Sequence, residues 1–181
     1  MSDTRNNATH AVPLAALMPL IRETLAQGKT ATIRIKGISM QPFLFDGRDS
    51  VELAALGDHR IRVGDLLLFE RADHSFALHR VCRVYPNDTF DIVGDNQQLC
   101  DLGIPREAVI ARVPRVWRDG KEIPCDAGFW RALMTFYMRA RLRFPRLARW
   151  CMRTVRRFLR VCRDPSAILR KLRKTGEEHE Q

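Results

Sequence analysis

The sequence is short of paired cysteines, of lysine and of any long apolar run. Its five cysteines, Cys82, Cys100, Cys125, Cys151 and Cys162, are odd in number and no two stand in a C-x-x-C spacing. That argues against a disulfide framework and a structural zinc site, and it fits a reducing compartment. The most apolar early stretch, 11–21, is too short to cross a bilayer and contains Pro13 and Pro19. After Phe129 arginines break every apolar segment. The first residues, Met-Ser-Asp-Thr-Arg-Asn-Asn, lack the cationic-then-apolar order of a secretory leader. The expected location is the cytoplasm, free or peripheral on the inner face of the membrane. Acid is scarce in one region only. Residues 129–174 hold 15 Lys and Arg against a single acid, Asp164, whereas residues 1–128 hold 16 against 17. The formal charge of +10 over 181 residues therefore belongs to an extension and not to the body. With 45% apolar residues the body has enough to bury a core.

What is present divides the chain into five parts. Residues 1–10 read as a disordered leader and 11–29 as a helical segment. Leu14, Leu17, Met18, Ile21 and Leu25 recur there at helical spacing, and Gly28 is placed to end the helix. Pro19 predicts a helix that starts near it. Residues 30–128 read as short strands, at 30–36, 50–54, 66–70, 75–85, 89–93 and 108–117, with a short return across Asp119-Gly120. Turn residues separate them, which predicts a mostly β, compact antiparallel domain. Residues 129–174 change to helical period, and 175–181 form an acidic tail. Pro145 divides the extension into a helix over 129–144 and a second segment. In the second, Leu147, Trp150, Cys151, Thr154, Val155, Phe158 and Cys162 share one face and arginines the other. Asp164-Pro165 predicts the start of a last short helix.

Three clusters in the body carry reactive groups. In Gly37-Ile38-Ser39-Met40-Gln41-Pro42 a serine stands where a strand gives way to a turn. A hydroxyl there can be exposed and backed by free backbone N–H groups, as a nucleophile and an oxyanion site require. A plain turn serine is the alternative. In Leu78-His79-Arg80-Val81 a histidine interrupts an apolar strand. It is a suitable base for a hydroxyl, or else a structural residue. His79 and Cys82 lie three apart on that strand and so face opposite ways, which disfavours a metal pair. In Val93-Gly94-Asp95-Asn96, followed by Asp101, either aspartate could orient an imidazole, or both could belong to an Asp-rich loop.

Taken together, the order Ser-Met-x-Pro, Gly64-Asp65-Leu66-Leu67-Leu68-Phe69, His-Arg-Val and Gly-Asp-Asn with a later Asp resembles the signal peptidase I family. That family shares its β fold with the LexA-type self-cleaving repressors. The resemblance covers roughly residues 30–113. It implies a LexA/signal-peptidase-like β domain and a serine endopeptidase acting on a peptide or protein precursor, with no cofactor and no metal. Ser39 matches the nucleophile. His79 stands where most bacterial members have a lysine, as in the archaeal and endoplasmic-reticulum branch. There Asp101 completes the triad and Asp95 supports the loop, while Gly37, Met40 and Pro42 belong to the serine box. The body has only Lys29, Lys36 and Lys121, so a lysine dyad is disfavoured. Bacterial members often carry a hydroxyl two residues before the nucleophile. Gly37 stands there instead, so an oxyanion hole would rest on backbone N–H groups such as that of Ser39. The box after Asp101 reads Leu102-Gly103-Ile104 and lacks the bacterial Ser-Arg. The family's usual membrane anchor is missing, which points to a short, soluble or peripheral relative. A non-catalytic or self-processing regulatory module of the same fold is the rival.

The extension 129–174 admits three readings. Its apolar face could pack on the β domain, its aromatic and arginine residues could sit on an anionic membrane surface, or its charge could follow nucleic-acid phosphates. The last is the least favoured, since LexA-type repressors bind DNA through an N-terminal helix-turn-helix for which 29 residues are too few.

Overall fold

The computed structural model describes residues 12–126, 128–144 and 154. A first helix, α1 (Leu14–Ala26), is followed by the strands β1 (Ala31–Arg34), β2 (Asp49–Ala54), β3 (Leu66–Glu70), β4 (Phe76–Val84) and β5 (Thr89–Val93). Then come β6 (Asp101–Pro105), a 3-10 turn (Arg106–Ala108), β7 (Val109–Arg118), β8 (Lys121–Pro124) and a second helix, α2 (Gly128–Arg143). The expected mostly β, antiparallel architecture is present. The eight strands of the described residues form one antiparallel sheet that is not closed; seven follow the order β1-β2-β7-β3-β4-β5-β6, and β8 lies off this path, paired with β7. The long strand β7 organises it. One edge of β7 pairs with β2, and the other pairs first with β3 and then with β8.

The apolar run at β3 explains its central place. Leu66 and Leu68 face one core with α1, β2 and β7, and Leu67 and Phe69 face a second with Val81, Phe90 and Ile92. A strand buried on both faces needs no alternation. Helix α1 covers the first core through Met18, Ile21 and Leu25. It ends as the sequence predicts, with Gly28 at φ +71° and bonds from Gly28 N to Leu25 O and from Lys29 N to Thr24 O. Its start is a correction. The helix begins at Leu14 with Pro13 as its cap, and Pro19 lies inside it. Leu14 and Leu17 also pack on the core, so a longer apolar face offsets the one backbone bond that Pro19 removes.

The loop expected after Asp95 holds a second correction, the edge strand β6, whose residues Asp101 and Ile104 pair with Ile92 and Phe90. In the extension, α2 lays Met134 and Met138 on the sheet, where Met138 meets Cys82 and Val93. Thr135 Oγ1 donates to Val63 O at 3.1 Å, and Phe43 sits edge-on to both Trp130 and Tyr137. No helix among the described residues is long and apolar enough to cross a membrane. The leader 1–10, the second segment of the extension apart from Thr154, the Asp164-Pro165 start and the acidic tail lie outside the described residues.

Candidate active site

His79 lies in the middle of β4, on the same face as Ala77 and Val81, with its ring against that of Phe69. It is 3% exposed. Its Nδ1 lies 3.2 Å from Asp101 Oδ2, across from the first residue of β6. A carboxylate can only accept, so the proton belongs on Nδ1 and the Nε2 lone pair is left free, which is the tautomer a general base needs. Burial holds the imidazole below its ordinary value; Asp101 acts the other way, and Arg71 adds to the lowering. The histidine is therefore neutral at pH 7.

Arg71, at the end of β3, is a member of this group that no motif signals. Its Nε and second guanidinium nitrogen donate to the two oxygens of Asp101 at 2.5 and 3.1 Å, and the latter nitrogen lies 3.5 Å from His79 Nδ1. Burial tends to raise the Asp101 carboxyl, but the bonds from Arg71 and His79 outweigh it and hold it below the usual carboxylate range. Asp101 is thus fixed as an ionised acceptor, while the guanidinium opposes a second positive charge on His79. The charged groups acting on His79 are Asp101, Arg71 and, more weakly, Asp95. Arg71→Met should move the acid limb of any His79-dependent rate to higher pH, with Arg71→Lys moving it less. A limb that stays in place in a pH profile would show that Arg71 only packs.

Ser39 is half-buried in the loop between β1 and β2, which several bonds pin down. Gly37, at φ +83°, donates its N–H to Asp46 Oδ2, and Phe45 N donates to the buried Asp49. Asp49 also accepts from Arg48 and Arg118, and Arg118 reaches Phe43 O. Met40 and Leu44 sink into the first core, and the Gln41–Pro42 peptide is cis. Among the described residues, no hydrogen bond is donated by the backbone N–H of Ser39 or Met40, nor made by Ser39 Oγ. Those two N–H groups are thus unengaged among the described residues, as the donors of an oxyanion hole must be.

The loop meets the sheet at Gly94. Asn96 N donates to Ser39 O at 2.7 Å and Asn96 Nδ2 to Ile38 O at 2.9 Å. The last ladder pair of β4 and β5 in this direction is Arg80 with Val93, so the next residue, Gly94, comes opposite His79. Cross-strand neighbours share a face. A Cβ on Gly94 would lie 2.8 Å from Ser39 O and 2.9 Å from Gln97 Oε1. The Ser39 backbone therefore occupies the side-chain space next to His79, and only glycine leaves that space open. Gly94→Ala should cost about 1–3 kcal/mol of stability, read as a shift in the urea midpoint; an unchanged midpoint would refute this packing.

Asp95 is not a partner of His79. It is fully buried and holds Arg80, with Nε at 3.0 Å from Oδ1 and a terminal nitrogen at 3.0 Å from Oδ2. Arg80 also donates to Gly64 O and stacks over Phe43. Helix α2 closes the same corner, where Tyr137 donates to Asp95 O and Arg141 to the carbonyls of Gly94, Asp95 and Gln97. The contacts thus join His79, Asp101 and Arg71 in one group and set the Ser39 backbone against Gly94, with Arg80, Asp95 and α2 bracing the loop that carries Asn96.

Other reactive groups are accounted for differently. Burial pushes the Cys82 and Cys125 thiols up to about 12, so neither is a nucleophile at neutral pH. Cys82 packs with Val93 and Met138, away from the His79 face. His59, Asp65 and Asp126 bring ligand atoms within 4.8 Å of one another. Arg112 already holds Asp126 at 2.8 Å and Arg131 lies 3.8 Å from Asp65, so guanidinium groups already supply the positive charge there. That cluster ties α2 to the sheet. No family model matches the chain, and no curated protein matches it.

Proposed function

We propose that the protein is a serine endopeptidase that cleaves a peptide or protein precursor, in the manner the signal peptidase I resemblance implies. Ser39 Oγ attacks the scissile carbonyl while His79 Nε2 takes its proton. The Ser39 and Met40 N–H groups receive the oxyanion. His79 then returns the proton to the leaving amine, and water repeats the cycle on the acyl-enzyme. Asp101 holds the imidazole and favours its protonated form in the transition state. The observation that carries this reading is the His79–Asp101 pair at 3.2 Å, on the sheet face where the Ser39 backbone fills the space above Gly94. A serine, a histidine and an aspartate 40 and 22 residues apart, the last two paired in space, supply the residue types that acyl transfer needs.

The rival is a non-catalytic module of the same fold. In its favour, Ser39 Oγ makes no hydrogen bond to His79 among the described residues. Such bonds are often long in free enzymes and tighten with substrate. The two readings separate when a complex peptide mixture is incubated with the full chain and the new termini are read by mass spectrometry. The peptidase yields a common set of cleavage sites that vanish in Ser39→Ala at unchanged thermal stability. Identical products from both proteins, or none from either, would reject it.

A further inference from the structure

We infer that the outward face of α2 docks on an anionic lipid surface. This does not depend on the peptidase reading. The helix has two apolar sides. Its inner side, with Met134, Met138 and Tyr137, is used by the sheet and by Phe43. On the outer side Phe129, Leu133 and Phe136 follow one another at spacings of four and three, one per turn, and Phe144 continues the line beyond the helix end. Phe129 is 81% exposed, Phe136 70% and Phe144 57%. Other exposed apolar side chains, such as Leu20 and Val84, lie on other elements, whereas three phenylalanines in one line along a single helix and its end form a patch that calls for a partner.

Charge decides which partner. Helix α2 carries Arg131, Arg139, Arg141 and Arg143 and no acid, and residues 145–174 add 11 Lys and Arg against Asp164 alone. Arg131 and Arg141 turn inward, whereas Arg139 and Arg143 are exposed beside the phenylalanine line. A second copy would bring the same positive face against itself, which opposes an isologous dimer. Nucleic-acid phosphates would satisfy the arginines and leave the phenylalanines in water. A bilayer with anionic headgroups satisfies both, taking the rings at the acyl boundary and the guanidinium groups at the phosphates. The inner side of the same helix holds the carbonyls of residues 94, 95 and 97, so docking would tie the Ser39 site to the lipid surface.

The test uses the full chain and co-sedimentation with vesicles of phosphatidylcholine alone or with phosphatidylglycerol added. Binding should be roughly tenfold or more tighter to the anionic vesicles and should weaken as salt is raised. Phe129→Ser/Phe136→Ser should lower it by roughly tenfold at an unchanged melting temperature, since both side chains are exposed. Arg139→Glu/Arg143→Glu should remove the preference for anionic vesicles. Equal binding to both vesicle types, or full binding by the phenylalanine variant, overturns the inference. So does a phenylalanine variant that converts a dimer to a monomer in light scattering, or a duplex oligonucleotide that binds more tightly than the anionic vesicles.

Discussion

Arg80→Met is expected to destabilise the protein by about 3–5 kcal/mol, a large part of the 5–15 kcal/mol that typically holds a domain together. Both partners of the Arg80–Asp95 pair are almost completely buried. Removing the guanidinium leaves the buried Asp95 carboxylate without its one ion-pair partner among the described residues, since Arg141 bonds the backbone carbonyl of Asp95 and not its side chain. It also strips a donor from Gly64 O. The double variant Arg80→Met/Asp95→Asn should recover part of the loss, because the uncompensated charge is gone. Urea unfolding of the single and double variants measures this. A loss below about 1 kcal/mol in the single variant, the range of exposed ion pairs, would show that the pair is not a strut.

The second large effect lies at the base. His79→Gln keeps the bulk of the ring but cannot take the Ser39 proton, and kcat/KM should fall by about 10⁴. The wild-type rate should also carry a specific pH signature. In the proposed mechanism only neutral His79 serves as base, so the rate should fall as pH drops through its folded pKa. Burial and Arg71 place that pKa below the ordinary histidine value of 6.5. Activity therefore persists to more acidic pH than an exposed histidine would allow. Asp101, held low by Arg71 and His79, stays ionised across this range and does not truncate the profile. An acid-limb midpoint at or above 6.5 would contradict the buried, Arg71-flanked imidazole.

How far these features were readable in the sequence differs from one to the next. Turn residues around short apolar or β-rich runs locate β3 and β5 to the residue, and β2, β4 and β7 within one residue at either end. Local rules determine such elements. Strand β6 escaped because Asp101-Leu102-Gly103-Ile104-Pro105 carries a Gly and a Pro and holds its place by pairing with β5 and by the bonds of Asp101 to Arg71 and His79, all non-local contacts. The order of strands, with β7 beside β2 and β3, rests on contacts far apart in sequence and has no local signature. Within the site, Ser39, His79, Asp95 and Asp101 were all singled out from their motifs, and the structure pairs His79 with Asp101 and Asp95 with Arg80. Arg71 was not, since an arginine in a turn after a strand looks like any solvated charge. The demand for glycine at position 94 is likewise spatial. Its Cβ position is taken by a loop 55 residues earlier in the chain.

Trapping the acyl-enzyme tests the proposed covalent catalysis at Ser39. A peptide that the wild-type chain cleaves would be mixed with it, quenched in acid within a single turnover and analysed by intact and peptide-level mass spectrometry. The expected result is a protein heavier by the acyl fragment of the substrate, with the ester on Ser39, and no adduct in Ser39→Ala or His79→Gln. An adduct on another residue, or turnover that proceeds in Ser39→Ala, would contradict it.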